Sequence, residues 1–195
     1  MRGLRKRECN PANNSVDDEL LVGSSLLLAP IMETGAHSRY VYLPQGEWHN
    51  YWTGEKLEGG RSVLAQAPLY AREGLPIFVR HGAILPSRPV RQFNSDEPET
   101  AIHLDVYPVE RGSCRLWEYA ETFSHLAYTA SDQRLLLTLE NHTPVRRTYT
   151  VACRDGRAIT SGNALGVALV VNAGIASIEL APSSLTQLEV TLEIP

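Results

Sequence analysis

The segment from Tyr40 to Gly60, YVYLPQGEWHNYWTGEKLEGG, constrains the fold more than any other part of the chain, because its turn residues and aromatics are spaced for strands that double back. Side chains alternate across a strand, so Tyr40 and Tyr42 fall on one face and Val41 and Leu43 on the other. Pro44 cannot donate to a ladder and ends it, and Gly46 supplies the backbone freedom of a tight turn. Trp48, Tyr51 and Trp52 give the next strand large apolar surfaces to bury, and Thr53-Gly54 reads as the turn after it.

The same grammar runs along the chain. Leu26–Ile31, Tyr40–Leu43, Glu47–Trp52, Ser62–Leu69 and Ile77–Arg80 are strand candidates bounded by Gly or Pro, and none has a helical period. The longest apolar stretch, Leu20–Met32, is too short to span a bilayer and is read as a buried strand. A second set comprises Ile102–Tyr107, Arg115–Tyr119, Leu126–Thr129, Arg134–Glu140, Thr148–Cys153, Val167–Val171 and Ala176–Leu180. It closes on Leu188, Val190, Leu192 and Ile194, which alternate with Glu189, Thr191 and Glu193. Turns about every 8 to 12 residues mark sandwiches or Greek keys rather than alternating strands and helices. The stretch Ser87–Thr100, with Pro89, Asn94, Ser95, Asp96 and Pro98, has a linker's composition. The sequence therefore predicts an all-β chain of two consecutive antiparallel β-sandwich domains. Residues 1–15 form a disordered tail, 16–88 the first sandwich, 89–100 the linker and 101–195 the second sandwich.

A net charge of −4 gives no field to attract nucleic acid or an anionic membrane, and the basic run Arg2–Arg7 reads as a solvated tail. Cys9, Cys114 and Cys153 are widely spaced, with no CxxC pair, so they suggest neither a disulfide framework nor a zinc site; a reducing, cytoplasmic setting is expected. Glu8–Glu19 is polar where a signal peptide needs an apolar core. Sequons at Asn13 and Asn141 carry little weight. The six histidines, His37, His49, His81, His103, His125 and His142, show no ligand spacing, and no glycine-rich phosphate loop or nucleophile elbow occurs. No metal or cofactor is expected. Asp17, Asp18 and Glu19 make the one dense carboxylate cluster, read as a solvated run before a strand rather than as acid/base or cation-binding groups.

Several blocks carry a resemblance when taken in order: ELLVGSSLLLAP (Glu19–Pro30), RYVYLPQGEWHNYWTGE (Arg39–Glu55), LEGG (Leu57–Gly60), APL (Ala67–Leu69) and LPIFVRHGAILP (Leu75–Pro86). Together they resemble the segment that follows the catalytic barrel in glycoside hydrolase family 31, the α-glucosidase and α-xylosidase family. The resemblance implies a proximal C-terminal β-sandwich, with a distal sandwich opened by IHLDVYP (Ile102–Pro108) and RLWEYAETF (Arg115–Phe123). Where the family commonly shows an aromatic followed by Glu, Asp, Asp and Gly, this chain has Trp117, Glu118, Tyr119 and Ala120, so no cation site is carried over. Ser24-Ser25 also departs from the acidic residue usual after the Gly.

Retaining glycosidases need two carboxylates about 5 to 5.5 Å apart, which this family holds on a (β/α)₈ barrel. A barrel needs about 250 residues and alternating helices, whereas this chain has 195 residues and no sustained helical pattern. No catalytic residue is carried over. The resemblance implies a non-catalytic C-terminal part of an α-glycosidase that supports an absent barrel, the barrel being its partner in the same enzyme or as a separate subunit. The alternative is a module that binds α-glucan or xylosyl oligosaccharides by stacking on Trp48, Tyr51 and Trp52, with Trp117 a further candidate. Exposed aromatics of that kind would also serve contacts between copies of the chain. Core packing competes with stacking for all four rings, and burial of Trp48 and Trp52 would count against the module.

Overall fold

The computed structural model describes residues 18–68, 71–90, 92, 98–117 and 123–193. The predicted tail with Cys9 and Asn13, together with Asp17, Leu69, much of the linker, the turn Glu118–Ala120 and Ile194, lies outside them. Strands dominate the described residues, which include no α-helix and one short 3₁₀ turn, Arg72–Gly74. The all-β expectation holds. Two compact units divide between His81 and Gly82.

The first unit contains β1 (Leu20–Val22), β2 (Leu26–Leu28), β3 (Ser38–Leu43), β4 (Glu47–Asn50), β5 (Lys56–Glu58), β6 (Arg61–Gln66) and β7 (Ile77–Arg80). One sheet runs β1-β2-β7-β4-β5, and β3 pairs with β6 in a second. Val41, Leu43 and Ala65 from the two-stranded sheet meet Leu27, Trp48 and Phe78 from the other in one buried cluster. This is the sandwich that the alternation of Val41 and Leu43 called for.

Leu20–Met32 is not the single buried strand that its hydropathy suggested. Gly23, at φ +65°, opens a turn with Ser24 and Ser25, and β1 folds back on β2 with Leu20 opposite Leu28. As the outermost strand of its sheet, β1 leaves Leu20 and Val22 exposed, while Leu27 and Ala29 enter the core.

The second unit contains β8 (Ile84–Ser87), β9 (Ala101–Val106), β10 (Arg111–Trp117), β11 (Phe123–Ala130), β12 (Arg134–Asn141), β13 (Arg147–Cys153), β14 (Ala158–Ala164), β15 (Leu169–Asn172), β16 (Ile175–Leu180) and β17 (Ser184–Glu193). Its two five-stranded sheets run β10-β11-β12-β17-β14 and β15-β16-β13-β9-β8. The inward residues of both interdigitate: Leu126, Leu135, Leu137, Leu188 and Val190 from one, Ile102, Leu104, Tyr149, Val151 and Ile178 from the other. Ile84–Ser87, which the sequence grouped with the first sandwich, pairs with β9. A further departure from a purely antiparallel scheme is the parallel pairing of β9 with β13.

Buried polar groups lock this unit's corners. The Tyr128 hydroxyl accepts from the Val109 amide at 3.1 Å and donates toward Gly82 O at 3.1 Å. Burial pushes that phenol's pKa up, partly offset by the Val109 bond and raised further by Cys153 and Asp155 nearby. Arg147, buried in the interior, sends Nε to Glu99 O at 2.8 Å and lays its guanidinium over the Tyr149 ring at 5.9 Å. Asn141 is sealed at 0% exposure, its amide donating to Val145 O at 2.9 Å and Ala181 O at 2.9 Å while Thr143 donates to its oxygen at 2.6 Å. The sequon there is a buried clamp whose nitrogen is already committed.

Candidate functional site

The residues named from sequence gather around one corner of the first unit, where the turn Pro44–Gly46 meets the loop Gly59–Gly60. Trp48 donates from Nε1 to Pro44 O at 2.8 Å, and Gly59 and Gly60 donate to Gly46 O and Leu43 O, each at 2.7 Å. A β-carbon on Gly59 would sit 1.9 Å from Pro44 O, so only glycine lets the two backbones approach this closely. Opposite Trp48 across the ladder, Arg80 places its guanidinium 5.1 Å from the indole centroid. The blocks quoted from Arg39–Glu55, Leu57–Gly60 and Leu75–Pro86 therefore interlock at this corner, and packing and hydrogen bonding consume them.

Burial sorts the three sugar-stacking candidates. Trp48 is 0% exposed and has no face to offer a ligand; a longer chain could only bury it further. Trp52 is half-buried, its Nε1 held by Leu75 O at 2.7 Å. Tyr51 is 40% exposed and meets Trp52 edge-on, with centroids 4.9 Å apart. They form no common exposed strip, because Trp48 points into the core from β4 while Tyr51 and Trp52 follow in the turn.

Histidines scattered in sequence do meet here. On β4 the residue after Trp48 turns to the opposite sheet face, and His49 Nε2 lies 2.9 Å from His81 Nδ1. His81 Nε2 lies 3.4 Å from a Glu47 carboxylate oxygen. A neutral His81 that donates to Glu47 through Nε2 accepts at Nδ1 from His49, which satisfies both contacts. Thirty-odd residues separate the two histidines, so no local motif announced the pair. His49 is fully buried, and a substrate cannot touch it.

A shallow groove of about 560 Å³ lies alongside, lined by Gln45, Gly46, Glu47, Lys56, Leu57, Glu58, Gly59 and Gly60. Glu47 and Glu58 face each other across the β4–β5 pair. Both are exposed, with Lys56 beside them, so nothing there excludes water or sets one carboxyl apart from the other as glycoside cleavage requires.

The carboxylate cluster at the start of the described chain is tied to the backbone. Arg39 pairs with the Asp18 carboxylate and donates to Pro30 O at 2.8 Å, while the Glu19 carboxylate accepts from the Tyr42 amide at 2.8 Å. Burial raises the Glu19 pKa, against the lowering effects of the Tyr42 bond and Arg39, with Asp18 adding to the rise. The reading of a solvated run fails for Glu19, whose side chain is 9% exposed. Its partners, 20 and 23 residues away by the numbering of Arg39 and Tyr42, make it a brace between segments.

Residues 7–85 match the Glycosyl hydrolase family 31 C-terminal domain. Alpha-glucosidase 2 of Bacillus thermoamyloliquefaciens is 35% identical over 115 residues, covering 59% of this chain and 14% of that protein. The alpha-xylosidase of Saccharolobus solfataricus is 37% identical over 103 residues, covering 52% of this chain and 14% of that one. Among solved structures, the family 31 dextranase of Flavobacterium johnsoniae, complexed with glucose, shares the fold over 93% of this chain and 28% of its own, with a TM-score of 0.77 at 20% identity. The family 31 alpha-xylosidase of Xanthomonas citri aligns over 75% of this chain and 17% of its own, with a TM-score of 0.61 at 29% identity. With these matches and the packed corner in view, residues 7–85 carry the C-terminal domain of glycoside hydrolase family 31, and the described residues, which include no α-helix, form no (β/α)₈ barrel.

Proposed function

We propose that the chain is the non-catalytic C-terminal part of a family 31 α-glycosidase, acting on glucosides or xylosides through a catalytic barrel that the first unit supports. One observation carries this reading: the family match over residues 7–85 falls on a unit whose matched Trp, Gly and Arg residues are spent on packing. The relatives' names include both an α-glucosidase and an α-xylosidase, and the chain spans 14% of each of those two proteins, so the reaction belongs to residues elsewhere. A cytoplasmic home is part of the proposal. Supporting it, Cys114 and Cys153 are free thiols.

The test is assembly. The purified chain is assayed on nitrophenyl α-glucoside and α-xyloside alone, and again with a family 31 barrel that lacks its own C-terminal region. The chain alone should be inactive, and its addition should raise the barrel's melting temperature and turnover. Hydrolysis by the chain alone, or a barrel indifferent to it, would overturn the proposal.

A further inference from the structure

The second unit carries an aromatic pair that its core does not use. Trp117 and Phe123 are opposite one another at the end of the β10–β11 pair, on the outer face, their ring centroids 5.5 Å apart at 62°. Trp117 is 66% exposed and Phe123 37%. The pair is nonetheless held in place: Phe123 braces the indole edge-on, and the Arg115 guanidinium lies 5.0 Å from the Phe123 centroid. Two positions along the strands, about 7 Å, Arg115 faces His125. Beyond it the Glu140 carboxylate accepts from the His125 amide at 2.9 Å and pairs with His142 at 3.2 Å.

We propose that Trp117 and Phe123 are a stacking platform for one pyranose of an oligosaccharide, whose hydroxyls meet Arg115, Glu140 and His142. A sugar presents an apolar C–H face ringed by hydroxyls, and this face presents an apolar ring beside charged, planar hydrogen-bonding groups. A protein partner would need a wider apolar area. The other exposed apolar residues of this sheet, Leu136 and Leu185, are separated from the pair by His125, Thr138 and Glu140, so among the described residues the apolar surface stops at two rings. The platform stands on its own geometry, while the choice of α-linked probes rests on the α-glycosidase reading above.

The experiment titrates the whole chain with isomalto-, malto-, xylosylated and cello-oligosaccharides, following tryptophan fluorescence and binding heat. Saturable binding at millimolar ligand or below is expected. Trp117→Ala should weaken it at least about tenfold with the melting temperature held, Arg115→Ala should weaken it less, and Trp52→Phe should leave it alone. Binding confined to cello-oligosaccharides would keep the platform and count against the α-glycosidase parent. No saturation by any of the four sugars, or binding that survives Trp117→Ala, would overturn the proposal. Self-association that Trp117→Ala abolishes, without sugar binding, would overturn it in favour of a contact between copies.

Discussion

Two glycines of the first unit do different work, and substitution separates them. Gly59 is hemmed in by the backbone oxygens of Pro44 and Gly46, whereas Gly54 has open space around it but sits at φ +74°. Gly59→Ala must force two chains apart and should cost about 3 kcal/mol or more; Gly54→Ala meets only the left-handed penalty of about 1 to 2 kcal/mol. Urea denaturation of both variants checks the order, and equal losses would mean that the corner relaxes freely. Glu19 gives a pH signature. Because burial disfavours the charged carboxylate, Glu19 binds its proton more tightly folded than unfolded. Its contribution is most favourable in acid, declines as pH rises from the ordinary carboxylate range through the raised pKa, and is level above that. Glu19→Gln keeps an acceptor for the Tyr42 amide, so it should match or exceed the parent in thermal midpoint at pH 7. That advantage should shrink below about pH 4; a gap independent of pH would remove Glu19 as its source. Thiols follow the same logic: burial pushes Cys114 up to about 11 and Cys153 to about 12, which leaves both as poor nucleophiles in the folded chain.

At the scale of strands, legibility followed burial. Ile77–Arg80 was read to the residue because β7 is the centre of its sheet and its apolar side chains meet neighbours on both sides. Phe78→Ala, at a site 1% exposed, should cost about 3 to 5 kcal/mol by equilibrium unfolding, and a negligible loss would contradict its place in the core. The strands that escaped notice are edges. β5 is three residues long with a charge at either end, and β14 buries little beyond Ile159 and Ala164 along AITSGNA. β8 contains Pro86, tolerated because the strand is outermost and needs no donor there. The opposite error, fusing β1 and β2, came from hydropathy outweighing the Gly23 turn. Pairing partners were out of reach altogether, since alternation fixes faces and leaves neighbours open; neither the β9–β13 match nor the meeting of His49 with His81 could be read from spacing. The aromatic site suffered similarly, because Trp48 and Trp117 look alike in sequence and differ only in which face of a strand they occupy.

For the molecule as a whole, the division at His81 has a practical consequence. Fragment 82–195 retains both sheets of the second unit and its whole buried cluster, so it should unfold cooperatively by itself. Fragment 89–195, cut at the predicted linker, loses β8 and with it Ile84, 4% exposed in that core. It should be at least about 2 kcal/mol less stable, as measured by urea denaturation of the two fragments; equal stability would return β8 to the first domain. The interleaving of the two sheets also bears on synthesis. As the ribosome delivers the second unit, β10, β11 and β12 emerge and can form a meander for one sheet before β13, the parallel partner of β9 in the other, exists. β12 then waits for β17, which follows β16 in the chain and sits between β12 and β14. Until Glu193 clears the exit tunnel, that sheet lacks the strand that joins β12 to β14 and shows open ladder edges beside its apolar face. That interval makes the nascent chain a natural client for chaperones that shield unpaired strands.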